Sequence, residues 1–199
     1  MPMIRETILT TVNGGGRLHI APIGIIADGD GWIIAPFRPS TTLDNLRAVP
    51  YAVANYSDDV RLFAGCLTGR IDWPTAPADE VPVPRIAHAL AHAELAVTGV
   101  TEDEQRPRFH CRVLRVRSHA PFEGFNRAKA AVVEAAILVS RLNLLPREQI
   151  EKEMAYLGIA VGKTAGKPEA EAWSWLVEKV QAHYTDAAPG PTPGRRKSG

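Results

Sequence analysis

Three short segments place basic, hydroxyl-bearing or conformationally special residues at spacings that suit an anionic, planar ligand. The first runs from Phe37 to Leu46, FRPSTTLDNL, where an arginine and three hydroxyls precede an apolar rhythm at Leu43, Leu46 and Val49. Ser40 or Thr41 is the expected cap of a short helix. The unpaired N–H groups of such a start favour an anion, and Arg38 can add a charged hydrogen bond. An ordinary capped helix beside a surface arginine fits the same residues. The second segment, PFEGFNRAK from Pro121 to Lys129, sets Arg127 and Lys129 in the first turn of a helix, against its macrodipole. Two cations there point either to an anionic ligand or to a solvated helix start. The third, APIGII from Ala21 to Ile26, breaks a strand with Pro22 and Gly24. Proline removes a ladder donor and glycine leaves room, which reads as a ligand close to the backbone or as a bend in a barrel strand.

Other motifs fail on spacing. Gly162-Lys163-Thr164 is separated from Gly158 by three residues where a phosphate-binding loop needs four between its glycines, and a helical pattern precedes it in place of a strand. His88 and His92 stand four apart, as zinc ligands on a helix do, but Ala89 occupies the position where a zinc protease carries glutamate. Only Glu94 is near as a third ligand, so surface or half-buried histidines are the plainer reading and no metal is expected. No Ser/His/Asp or Cys/His set carries a local signature of nucleophilic catalysis.

The elements that position these segments follow from periodicity. Residues 4–12 and 17–27 read as strands joined by Asn13-Gly14-Gly15-Gly16, and Asp28-Gly29-Asp30-Gly31 turns the second into a third at 32–37. Turns this short require antiparallel pairing. A fourth strand is expected at 50–56, a short helical stretch at 58–67, and a surface connection at 72–85, which holds four prolines. Residues 87–101 fit helix or strand, with 94–100 alternating as a strand. Residues 109–117 alternate cleanly except for one slip near Leu114. Three helices close the chain: one over 126–142, one from Pro146 to Gly158, and one opened by Pro168 with a stripe of Trp173, Leu176, Val177, Val180 and Tyr184. Strands first and helices last make an α+β, mainly β chain: an antiparallel β-domain with a helical appendage.

The 199 residues allow one domain with an appendage, and 45% hydrophobic with 23% charged residues is ordinary globular composition. A net charge of +1 offers no basic field for nucleic acid. No stretch approaches ~18 consecutive apolar residues, so no membrane span is expected. The start lacks a signal-peptide pattern, and two cysteines, Cys66 and Cys111, make neither a disulfide scaffold nor a four-cysteine zinc site. A reduced, cytoplasmic setting is expected. Residues 187–199, AAPGPTPGRRKSG, have no large apolar side chain and read as a disordered tail.

The succession RETILTTV, APIGI, FRPSTTLDNL, AVANYSDD and FNRAKAAVVEAAILVSRLNLL resembles the domain of unknown function 447 family, over nearly the whole chain to about residue 183. That family is similar to the split-barrel flavoproteins. The resemblance implies an antiparallel Greek-key split β-barrel over residues 1–120, a helical C-terminal subdomain over 121–186, and FMN bound at the interface of a homodimer. It implies that Arg38, Ser40, Thr41, Thr42 and Asn45 hold the FMN phosphate. Pro22, Ile23 and Gly24 would lie against the flavin ring, with Asn55 nearby, and Asn126 and Arg127 would approach from the helical part. The implied function is an FMN-dependent reductase with a nicotinamide donor, in organisms that use tetrahydromethanopterin-type one-carbon metabolism. A non-catalytic flavin or pterin carrier is the alternative. His19 and His119 are the general-acid candidates, each equally readable as a structural histidine.

Overall fold

The computed structural model describes residues 2–186; the expected tail at 187–199 lies outside the described residues. Nine residues rich in β-branched types form β1 (Ile4–Val12), which pairs antiparallel with β2 (Leu18–Asp28), and β2 turns through Gly29 (φ 57°) into β3 (Gly31–Ile34). The third strand therefore stops three residues short of the expected Phe37. From β3 the chain crosses the barrel through α1 (Thr41–Ala48) to β4 (Tyr51–Tyr56), which pairs with the other edge of β1. After α2 (Arg61–Leu67) and a two-stranded pair, β5 (Thr75–Ala76) and β6 (Arg85–Ile86), a hairpin of β7 (Ala91–Thr101) and β8 (Arg108–Ser118) fills the gap between β4 and β3. The result is a closed antiparallel barrel in the order β1-β2-β3-β8-β7-β4. The slip near Leu114 is a β-bulge: Glu94 pairs with Arg115 and Leu95 with Val113, so Leu114 is the extra residue.

Period-two alternation decides what each wall faces. Leu9, Ile25, Ile34, Ala54, Ala93, Leu95 and Phe109 fill the barrel, and Leu43 and Leu46 of α1 join the same cluster. Ile8 and Ile20 point outward and pack beneath α2 and α3 (Arg127–Val139). Val12 and Val53, also outward, are covered by Val81 and Val83. The Pro-rich stretch 72–85 is thus no mere surface connection: Val83 is fully buried, and its neighbours' N–H groups are tied to a buried carboxylate.

The C-terminal part is three helices, α3, α4 (Arg147–Thr164) and α5 (Lys167–Asp186). Gly158 does not end α4, which runs six residues further. A Cβ at Gly158 would stand 3.4 Å from the Trp173 ring, so glycine here seats an aromatic of α5 against α4.

Candidate functional site

A cleft of about 560 Å³ opens between the outer face of β1 and β2 and the helices α2 and α3. Ligand sites commonly fall at ~300–1,000 Å³ with an apolar lining and a few convergent polar groups. Ile4, Glu6, Pro22, Gly24 and Ile26 form the barrel wall; Phe63, Val133, Ala136 and Ile137 form the helical wall; Phe37, Arg106 and Arg141 stand at the margin. The strand register explains the barrel wall. Glu6 pairs with Gly24 and Ile8 with Pro22, so these side chains share the outward face, while Ile23 turns inward and packs in the barrel core. Pro22 and Gly24 therefore reach the cleft and the Ile23 side chain does not.

Gly24 leaves a space that a neighbour already borders. A Cβ there would lie 2.9 Å from Ile4 Cγ2 and 3.1 Å from Glu6 Oε1. The Glu6 carboxyl lies against the bare strand, and burial, with Glu134 adding like charge, pushes it above the usual carboxylate range.

The segment expected to bind an anion begins at Phe37, which lines this cleft. Ser40 caps α1, its Oγ accepting from Leu43 N–H at 3.3 Å. Thr41 is exposed, whereas Thr42 is buried. The Arg38 guanidinium donates to Glu102 at 3.0 Å, and Glu102 also accepts from Arg47. Arg38 N–H donates to Gln105 O at 2.8 Å, while the adjoining Arg106 donates to Ala35 O and lies 4.3 Å over the Phe37 ring. Phe37 and Arg106 thus join the cleft to the start of α1.

The two buried asparagines hold the scaffold. Asn45 Nδ2 donates to Thr11 Oγ1 at 3.0 Å, fixing α1 to β1. Asn55 Nδ2 donates to Ile8 O at 2.9 Å, and its Oδ1 accepts from Ile86 N–H. Asn126 is the N-cap of α3, accepting from Ala128 and Lys129 N–H and donating to Thr164 O. Lys129 forms an ion pair with Asp58, so a carboxylate of the chain itself answers one of the two cations at this helix start. Arg127 is exposed and, among the described residues, neither lines the cleft nor forms an ion pair.

The histidine candidates lie elsewhere. His19 is held below its usual value by burial and is not part of the cleft wall. His92 belongs to a strand, not a helix, so the spacing with His88 does not bring two imidazoles together. His92 and Glu94 are buried on the outer barrel face, Nε2 to Oε1 at 3.1 Å, and Glu94 accepts N–H groups from Asp79, Glu80 and Val81. A carboxylate only accepts, so His92 Nε2 carries the proton and Nδ1 takes the bond from His119 Nε2 at 2.8 Å. No cluster of three or more metal-ligating side chains occurs among the described residues.

Sequence reasoning missed Glu6, Phe63, Arg106 and Arg141. Glu6 had one usable signal: it is the charged member of an outward row whose other members, Ile4, Ile8 and Thr10, are apolar or hydroxyl-bearing.

The comparisons with known proteins agree with this architecture. The family model of the protein of unknown function (DUF447) N-terminal domain matches residues 5–120, and that of the protein of unknown function (DUF447) matches residues 126–178. An FMN-bound DUF447 protein from Methanosarcina mazei superposes with a TM-score of 0.79 at 22% identity, covering 90% of this chain and 96% of that one. The 2-nitrobenzoate 2-nitroreductase of Pseudomonas fluorescens gives 0.51 at 19% identity over 60% of this chain and 66% of that one. The flavin reductase component of a bacterial two-component tryptophan halogenase gives 0.50 at 15% identity over 60% and 83%. No curated protein matches the chain. At these identities the structures show a shared split-barrel fold. The two family matches together span most of the chain, which belongs to the DUF447 family of proteins of unknown function.

Proposed function

We propose that the protein binds FMN, with the flavin ring in the cleft on Pro22 and Gly24 and the phosphate at Arg38 and the Ser40–Thr42 turn. The observation that carries this reading is the cleft itself, whose barrel wall holds Pro22 and Gly24 with only the ends of the flexible Ile4 and Glu6 side chains over Gly24, and which runs by way of Phe37 toward the capped start of α1. The FMN-bound relative from Methanosarcina mazei supports the choice of ligand. Bound FMN supplies hydride chemistry, and the chain orients the ring and shields it from water. Asn45 and Asn55 serve at one remove, by fixing α1 and the β4–β6 contact that frame the site. Asn126 and Arg127 belong to the start of α3 and take no part in the ring site.

A flavin-dependent reductase with a nicotinamide donor is the proposed activity, and the neighbours named as a nitroreductase and a flavin reductase support its reductase part. The carrier alternative has its own support, because among the described residues the ionisable side chains lining the cleft are Glu6, Arg106 and Arg141, and no histidine or cysteine lines it. Flavin absorbance in the loaded protein, followed by bleaching with NADH or NADPH, tests the two: bleaching at a useful rate establishes the reductase, and flavin bands that persist establish the carrier. The tie to tetrahydromethanopterin-type one-carbon metabolism rests on the family resemblance and on no residue of the cleft.

The active unit is proposed to be a homodimer. Ile4, Phe37 and Leu144, 58%, 62% and 79% exposed, rim the cleft and would be covered by a second copy. Light scattering of the FMN-loaded protein at micromolar concentration checks this, and a monomer there refutes it. No helix among the described residues is long and apolar enough to cross a membrane. Burial pushes the Cys66 thiol up to about 11 and the Cys111 thiol to about 12, which disfavours the reactive thiolate at both; the proposed setting is cytoplasmic.

A further inference from the structure

Glu6 is the one carboxyl that lines the cleft wall on which the ring is placed, and among the described residues it has no hydrogen-bond or ion-pair partner. The ladder sets it directly opposite Gly24, and the absent Cβ lets the carboxyl lie along the strand. Any flat ligand seated on Gly24 meets this group. Glu6 is exposed in the free protein, and a flat ring laid on this wall would take water from an ionised carboxylate. A neutral carboxyl keeps one O–H to give.

We propose that Glu6 is the hydrogen-bond donor of the cleft: its neutral carboxyl binds an acceptor atom on the edge of a planar heteroaromatic ring lying on Pro22 and Gly24, and its ionised form disfavours that ring. This deepens the FMN reading and rests on it. The charged groups around Glu6 act in both directions, the like charge of Glu134 favouring the neutral carboxyl and the cations Arg106 and Arg141 the ionised one. Glu134 of α3 acts on it with like charge; Arg106 of the β7–β8 connection and Arg141 beyond α3 line the same cleft; α2 contributes only Phe63 and Leu67, and β2 only Pro22, Gly24 and Ile26. Arg5, the next residue along β1, turns to the other face and lies over the Trp32 and Tyr56 rings. Partial burial and Glu134 both shift the Glu6 carboxyl above its usual range.

The test is flavin affinity against pH, read by fluorescence quenching from pH 5 to 8, with FMN and riboflavin as probes. Riboflavin is needed because the FMN phosphate itself titrates near ~6, as phosphate monoesters do. The wild type should lose affinity for both flavins by roughly tenfold per pH unit once Glu6 ionises. Glu6→Gln, neutral and still a donor, should bind both with no such fall, and Glu134→Gln should start the fall at lower pH. A wild-type profile retained in Glu6→Gln, or a fall seen with FMN but not with riboflavin, overturns the proposal and leaves the FMN reading standing. If the wild type binds neither flavin at any pH, the FMN reading fails and this proposal falls with it.

Discussion

Glu6 and Gly24 face each other across the β1–β2 ladder, and the carboxyl of one lies beside the missing side chain of the other: a Cβ on Gly24 would stand 3.1 Å from Glu6 Oε1. The glycine thus gives the Ile4 and Glu6 side chains room to lie over the strand at the floor of the cleft. Its φ is not in the left-handed region, so the requirement is for space and not for backbone freedom.

Arg38 and Glu102 set a prediction for the phosphate. If Arg38 holds the phosphate, Arg38→Ala removes a charged hydrogen bond worth on the order of 1.5–3 kcal/mol, and FMN affinity falls about tenfold to a hundredfold. Glu102→Gln frees Arg38 and Arg47 from their shared carboxylate and should tighten FMN. Arg127→Ala, at the start of α3, should leave affinity unchanged. Calorimetric titration of the three variants decides the matter, and loss of affinity in Arg127→Ala alone would move the phosphate to the helical subdomain.

Glu94 predicts a stability profile. Burial opposes its ionisation, but N–H groups of Asp79 and Glu80 together with His92 outweigh that and hold the carboxyl below its usual value of 4.5. A lowered folded value means stability that is present above about 4.5 and is lost as pH falls through the folded value. Urea unfolding between pH 6 and 3 should show this loss in the wild type and a flatter profile in Glu94→Gln. At pH 7, Glu94→Ala should cost on the order of 3 kcal/mol or more, because three backbone N–H groups and His92 lose their acceptor.

Leu46 and Leu43 of α1 share the barrel's core, so α1 is a load on barrel stability as well as a frame for the site. Leu46→Ala should cost roughly 2–5 kcal/mol. It should also weaken FMN by loosening Ser40 and Thr41, measured as a lower melting temperature and a faster flavin off-rate.

Much of this architecture is legible in the sequence because it is local. Ser40 caps α1 as its side chain and position require, and the two Gly-rich turns force the opening meander. The odd residue at Leu114 gives away a bulge, since one insertion breaks period two. What escaped is non-local. Gly158 looks like a helix stop until Trp173, fifteen residues on, is known to press on it. Val81 and Val83 look exposed among prolines until the outward Val12 and Val53 are seen to need a cover. The cleft itself draws Glu6, Phe63, Arg106 and Arg141 from four separated segments, and no local pattern marks them as neighbours. Pro22 and Gly24 were readable because proline and glycine inside a strand are costly unless the strand surface serves a purpose.

The most direct test of the account is an FMN titration, by flavin fluorescence quenching, of the wild type against Gly24→Val. The wild type should bind FMN in a one-to-one ratio with the chain. Valine puts a branched side chain where Ile4 and Glu6 already crowd the space, so the variant should keep the wild-type circular dichroism and lose FMN binding by at least about a hundredfold. A folded Gly24→Val protein that binds FMN as tightly as the wild type would contradict the placement of the flavin on this strand.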